Sequence, residues 1–336
     1  MKQRSATHRR RGPNRRSPLA QATDSVTLSI QRRLRRGKGP AIAAALAVPV
    51  LVALTLKRKR VGLHPVATLV LGCGVPLGAA IAVPQGRPRY AAIAAGYMYL
   101  FKLSWELPYD DPERLRRRLL IDEPIRFDSF VGGGVPVGLR LQRALRTKGE
   151  ISAFDIAVTA VYGSWFVPHL VLGYLLVRHD EYVPRAGGRL SAAYHLTTPF
   201  YWLWPEAPPW YAAEKEGRMD GELDRVARAV VCHILKREPP DDGSVPGNPW
   251  ASMPSDHISS AAITALGLTE INPIYGAVGW AYVGAAAFAV VYLGEHYVAD
   301  VLVGLAIAGA VEAGEVLAAP FIRAVTRSVS GTSPER

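Results

Sequence analysis

The 336 residues are 49% hydrophobic yet carry a formal net charge of +12, with 40 Lys and Arg against 28 Asp and Glu. That charge is local: residues 1–38 hold twelve basic residues and one acid, Asp24, while the rest of the chain is nearly balanced. A basic tail ahead of apolar runs points to the cytoplasmic side and anionic headgroups rather than to nucleic acid, and two cysteines outside any paired spacing, Cys73 and Cys232, argue against a disulfide scaffold or thiolate metal site.

In chain order, residues 1–24 are rich in Arg, Pro and Ser and are expected to be disordered. Residues 25–36 have the pattern of a short amphipathic helix lying on a membrane. No cleavable signal is read, because the first apolar run follows this 38-residue tail. Eight apolar runs come next, at 41–56, 61–83, 90–105, 153–177, 190–204, 257–270, 273–293 and 297–319. Several approach the roughly 20 residues needed to cross a bilayer. The first ends on Lys57-Arg58-Lys59-Arg60, so it either crosses or dips in and returns around Pro49. Residues 106–152 read as interfacial helices joined by a turn at Gly132-Gly133-Gly134, which lacks the pattern of a phosphate loop. Residues 205–256 form a long polar loop; Pro208-Pro209 ends the helix entering it, and Trp202, Trp204, Trp210 and Tyr211 suit an interfacial aromatic belt. The expected class is an all-α polytopic membrane protein. Scarce Lys beside plentiful Arg, Ala and Gly suggests a GC-rich bacterial genome.

Two motifs bracket the helices near the C-terminus. Pro254-Ser255-Asp256-His257 opens one apolar run with helix-start signals, and a helix N-terminus attracts phosphate through free N–H groups and its dipole. Glu295-His296-Tyr297-Val298-Ala299-Asp300 opens another, and its His296 and Asp300 share one helical face. Each motif alone could be an ordinary cap or a buried hydrogen bond. Two intervening apolar segments return the chain to the face it left, however, so His257 and His296 are expected at similar depth. Ionisable groups so placed are functional candidates. Two histidines and one orienting carboxylate suit nucleophilic attack on phosphorus with a separate proton donor.

These motifs resemble the type 2 phosphatidic acid phosphatase superfamily: Pro-Ser-x-His at 254–257, and His-Tyr-x-x-Asp-x-x-x-Gly at His296, Tyr297, Asp300 and Gly304. The chain is most similar to its inositol-phosphorylceramide-synthase-like branch. Arg126-Phe127-Asp128 through Leu141-Gln142, Asp155 through Tyr162 to Pro168-His169, and Pro205 with Ala207-Pro208-Pro209-Trp210 carry that likeness. The resemblance implies His296 as nucleophile, Asp300 as its orienting group and His257 as general acid/base. It also implies a six-helix catalytic core within 90–320, with membrane elements at 39–89 and a C-terminal tail at 321–336. The phosphatases have an arginine six residues before the nucleophile, where this chain has Val290, as in the synthase branch. A dianion favours a bidentate guanidinium, so Val290 favours a diester substrate.

The expected activity is transfer of a phospho-headgroup from a phospholipid to a lipid hydroxyl through a phosphohistidine. The alternatives are a lipid phosphate phosphatase, with water as acceptor, and a non-enzymatic membrane scaffold or transporter. Candidate phosphate-binding residues are Ser255 and, in the 205–256 loop, Lys215, Arg218, Lys236 and Arg237. No cofactor or metal is expected, because Asp110-Asp111 and Asp241-Asp242 have no recognisable ligand spacing. The resemblance puts the site on the outer face of a bacterial plasma membrane with both termini inside. The nine basic residues of 106–152 pull the other way.

Overall fold

Apolar residues grouped in long runs can satisfy their backbone polar groups in a membrane only as helices or a closed barrel, and this chain forms helices. The computed structural model describes residues 39–84, 86–179, 182–238 and 247–330, and no strand occurs among them. The basic tail, the Asp241-Asp242 pair and residues 331–336 lie outside the described residues.

Helices α1 (Gly39–Leu56), α2 (Arg58–Val61), α3 (Pro65–Ala82) and α4 (Arg87–Glu106) come first. The region between 106 and 152 folds into a 3-10 turn (Leu107–Asp110), α5 (Pro112–Arg116), α6 (Asp122–Val131) and α7 (Val137–Leu145), short helical pieces as the sequence suggests. They pack on the ends of the bundle helices instead of forming a separate domain. Next come α8 (Ala153–Gly163), α9 (Val167–Arg178) and α10 (Val183–Leu203), then α11 (Pro209–Glu214) and α12 (Val226–Leu235). The chain closes with α13 (Asp256–Ile271), α14 (Pro273–Tyr292) and α15 (Val298–Ser330). Helices α1, α3 and α14 are each long and apolar enough to cross a membrane, and α8 with α9 make a fourth such element bent by 49°.

Local chemistry sets the boundaries. Pro65 and Pro273 sit at helix starts, where the missing N–H costs nothing. Asn272 caps α14 by accepting from the Ile274 N–H at 2.8 Å, and Ser152 with Asp155 form a reciprocal capping box on α8. Pro49 does not turn the first run back: α1 is one continuous helix through it. The run at 153–177, expected as one segment, breaks between Gly163 and Val167. Ser164 donates to the Val161 carbonyl there, and Pro168 follows within one turn. The 205–256 stretch, expected as a loop, contains the two helices α11 and α12.

The run at 190–204 begins earlier than its apolar part, at Val183, because α10 carries two neutralised arginines. Arg189, 2% exposed, meets Glu315 at 2.8 Å, Glu270 at 2.8 Å and Glu312 at 2.5 Å; Arg185 reaches Glu315 at 3.0 Å and Glu270 at 2.5 Å. This network ties α10, α13 and α15 together at the end of the bundle away from the two motifs. At the other end, Arg58 binds Asp110 at 2.6 Å and Glu106 at 3.5 Å, and Lys59 binds Asp110 at 3.2 Å. Two of the four basic residues after α1 are thus paired with the end of α4 and the turn that follows.

Removing one partner of a buried ion pair typically costs about 3–5 kcal/mol, because the other charge stays buried. Arg189→Ala is therefore expected to lower the thermal midpoint of the purified protein strongly, with Arg189→Lys intermediate. Equal midpoints for all three proteins would show that the network adds nothing to stability.

Candidate active site

The site forms where α13 and α15 begin. After α14, the Val290 carbonyl accepts from the N–H groups of both Glu295 and His296 at 3.0 Å, winding the chain through a tight turn. Gly294 in that turn has φ +75°, and a Cβ there would lie 2.6 Å from the Leu223 side chain, so glycine is required. The Ser255 N–H donates to the Asp300 carbonyl at 3.1 Å, joining the two motifs directly. Gly304 permits this approach: a Cβ there would stand 2.7 Å from the Ser255 carbonyl oxygen.

Asp300 is fully buried, and its Oδ2 accepts from Ser252 Oγ at 2.6 Å, His296 Nδ1 at 2.9 Å and the Tyr297 N–H at 3.1 Å. With Nδ1 engaged, Nε2 of His296 is the ring nitrogen left for chemistry. His257 sits 5.7 Å from His296 between ring centroids, inclined at 69°, and stacks on Tyr162 at 4.7 Å. The two histidines and Asp300 are therefore together.

Several residues quoted for the family likeness hold this arrangement from behind. Asp128 caps two helices, accepting from the Val298 N–H of α15 at 2.9 Å and the Val137 N–H of α7 at 2.7 Å. Burial pushes its carboxyl up from the ordinary carboxylate range, against the pull of those N–H groups. Gln142 donates to the Tyr292 and Asp224 carbonyls at 2.8 and 3.0 Å and accepts from the Asp224 N–H at 2.9 Å. Asp155 accepts from the Tyr292 hydroxyl at 2.6 Å. The N–H of Trp210, 1% exposed, donates to the Gly294 carbonyl at 2.9 Å, pinning the turn that carries His296.

A cavity of about 790 Å³ opens beside the histidines. Its walls include Tyr99, Phe101, Trp105, Tyr162, Trp165 and Trp210, together with Asp256, His257, Glu295 and His296. The bend between α8 and α9 brings Tyr162, Gly163 and Trp165 into this wall.

The cations do not fall where the sequence suggested. Lys215, Arg218, Lys236 and Arg237 are exposed and absent from the lining; Arg218 instead pairs with Asp122 at 2.8 Å. Ser255 is buried at the α13 cap, outside the lining, with a hydroxyl that has no hydrogen-bond partner among the described residues. The basic side chains that do line the cavity are Arg225 and Lys102. Arg225 lies 4.0 Å over the Trp210 ring and meets Glu295 at 3.0 Å, while Lys102 pairs with Glu106. Sequence reading missed Arg225 because it is one of several bases in a polar stretch, and missed Ser252 because a lone serine before the motif carries no signal.

Of the five sequence segments carrying the family likeness, four thus contribute residues to the cavity lining, and Arg126–Gln142 braces the arrangement from behind. No curated protein and no solved structure matches this chain. A sequence model of the PAP2 superfamily matches residues 133–313, from the turn before α7 into α15, and leaves α1 to α6 outside. With more than half of its length matched and both histidine motifs inside the matched region, the chain belongs to the PAP2 superfamily.

Proposed function

We propose that this chain is a membrane lipid phosphotransferase that moves a phospho-headgroup from a phospholipid to a lipid hydroxyl through a phosphohistidine. The observation carrying this reading is His296, held through Nδ1 by Asp300 at 2.9 Å and facing His257 across the end of a large aromatic-walled cavity. The lone pair on Nε2 of His296 attacks phosphorus, and the bond from phosphorus to the donor oxygen breaks. Protonated His257 supplies the proton that oxygen needs. The now-neutral His257 takes the proton of the acceptor hydroxyl, whose oxygen displaces His296 from phosphorus and regenerates both residues. Asp300 stabilises the positive charge that develops on the imidazole ring.

The charge balance supports a phosphodiester donor over a phosphomonoester. Val290, at the position of the phosphatase arginine, is fully buried and outside the cavity lining. Arg225 and Lys102 are each already paired with a carboxylate. A site so neutralised accommodates one negative charge more readily than two. With water as acceptor, the same first step would give a lipid phosphatase.

The fold also supports an extracytoplasmic site. Helix α1 starts at the end of the bundle opposite the cavity, since its other end joins Glu106 and Asp110 through Arg58 beside cavity residues Lys102 and Trp105. The basic tail preceding α1 therefore attaches at the far end, which the positive-inside tendency assigns to the cytoplasm. Four of the basic residues in 106–152 are drawn into ion pairs: Arg116 with Glu216, Arg126 with Glu123, Arg143 with Glu222 and Arg146 with Asp224.

Three outcomes test this reading. His296→Ala is expected to form no phospho-enzyme with any substrate. His257→Ala is expected to lose about 10²–10⁴-fold in turnover of natural lipid while still being labelled by a nitrophenyl phosphodiester, whose leaving group needs no proton; Asp300→Asn is expected to fall between them. The reverse pattern exchanges the two roles, and full activity in both histidine variants rules out the site. Wild-type protein should turn over a nitrophenyl phosphodiester faster than the matching monoester, and preference for the monoester would favour the phosphatase. In intact cells, with Cys73 and Cys232 removed, a cysteine replacing Asp220 should react with an impermeant thiol reagent and one replacing Asn272 should not; the opposite labelling would invert the topology.

A further inference from the structure

Glu206 is fully buried between Pro205 and Ala207, in a segment the catalytic reading above leaves without a task. The backbone fixes it firmly. Its N–H donates to the Trp250 carbonyl at 2.9 Å, the Ala207 N–H donates to the Leu120 carbonyl at 3.0 Å, and Glu206 bridges Leu120 on one side and Ala251 on the other. Its pairing with Ala251 sets it beside Ser252, which donates to Asp300 Oδ2 at 2.6 Å, so the carboxyls of Glu206 and Asp300 lie next to each other. Among the described residues no N–H or O–H group is aimed at either Glu206 oxygen or at Oδ1 of Asp300. Two ionised carboxylates in contact inside a protein, without a cation between them, would be prohibitively unfavourable. One proton must lie between them. Oδ2 of Asp300 already accepts three hydrogen bonds, which favours charge on Asp300 and the proton on Glu206.

We propose that Glu206 is a neutral carboxylic acid that donates a hydrogen bond to Oδ1 of Asp300, and that it acts as a positioning residue for the nucleophile. By drawing charge toward Oδ1, this bond limits how strongly Oδ2 holds a proton on His296. It also fixes the plane of the carboxylate that orients the ring. The groups facing the pair are Asp128, Tyr297 and, beyond Asp300, His296. Burial, then the Asp300 charge and its hydrogen bond, then Asp128, hold the Glu206 carboxyl well above the usual carboxylate range. The Asp300–His296 couple is thereby extended by one acidic residue that supplies a hydrogen-bond donor.

This proposal rests on the phosphotransfer reading for its kinetic consequence but not for its physical core, and the experiment separates the two. The infrared spectrum of purified full-length protein at neutral pH, taken as the difference between wild type and Glu206→Gln, should contain a protonated-carboxyl stretching band that the variant lacks. Glu206→Gln keeps a donor toward Oδ1, so its rate of phosphorylation by a nitrophenyl phosphodiester should stay within about threefold of wild type. Glu206→Leu leaves Oδ1 without a partner and should lose about ten- to a hundredfold in kcat with little change in KM. Its acid limb should move to higher pH, because Asp300 then holds the imidazole proton more tightly. A variant that merely damaged the fold would not move that limb or be rescued by Gln. Absence of a band assignable to Glu206 overturns the proposal, as does an acid limb that moves to lower pH in Glu206→Gln, which would mean Glu206 is ionised. If the band is present and no variant or wild-type protein forms a phospho-enzyme, the neutral Glu206 stands and the phosphotransfer reading fails.

Discussion

A fully buried carboxylate among apolar helices is costly unless its oxygens are satisfied, and Asp300 imposes that constraint on the whole molecule. Three donors converge on its Oδ2: a ring nitrogen, a hydroxyl and a backbone N–H. They come from the turn before α15 and from the segment preceding α13, so meeting the demand of one carboxylate brings the two motifs together. The Asp300 backbone adds to this, since its carbonyl accepts from Ser255 at the start of α13. Glycine at 304 is the steric condition for that approach.

The surrounding layer follows the same logic one shell out. Asp128 satisfies orphan N–H groups at the starts of α7 and α15 at once, so the surface helices fix the position of α15. Gln142 ties the end of α14 to the segment before α12, and Trp210 anchors the turn carrying His296. These contacts are polar, buried and long-range, which makes the site rigid where chemistry needs it. Apolar packing of α10, α13, α14 and α15 supplies the frame, and the Arg185–Arg189 network closes its far end. Between these layers lies a cavity with aromatic walls whose two lining cations, Arg225 and Lys102, are paired with carboxylates.

Much of the architecture was legible from the residues. All eight apolar runs became helical, because hydrophobic length and Pro, Asn and Ser start signals act locally. His257, His296 and Asp300 could be brought together by counting the two segments between the motifs. Segment edges with charge inside them were less readable. Helix α10 starts seven residues before its apolar run, since Arg185 and Arg189 read as surface until their glutamates are found on α13 and α15.

What the sequence alone determined is therefore the class, the helices and the convergence of His257, His296 and Asp300, all carried by patterns within a few residues of one another. Tertiary structure decided the rest. Arg225 enters the cavity while Lys215, Arg218, Lys236 and Arg237 stay outside, although all five lie in one polar stretch of similar composition. Ser252 and Glu206 meet Asp300 across 48 and 94 positions of chain, distances at which no periodicity operates. A charged side chain's role is set by what desolvates and pairs it, and those partners exist only once the helices have packed.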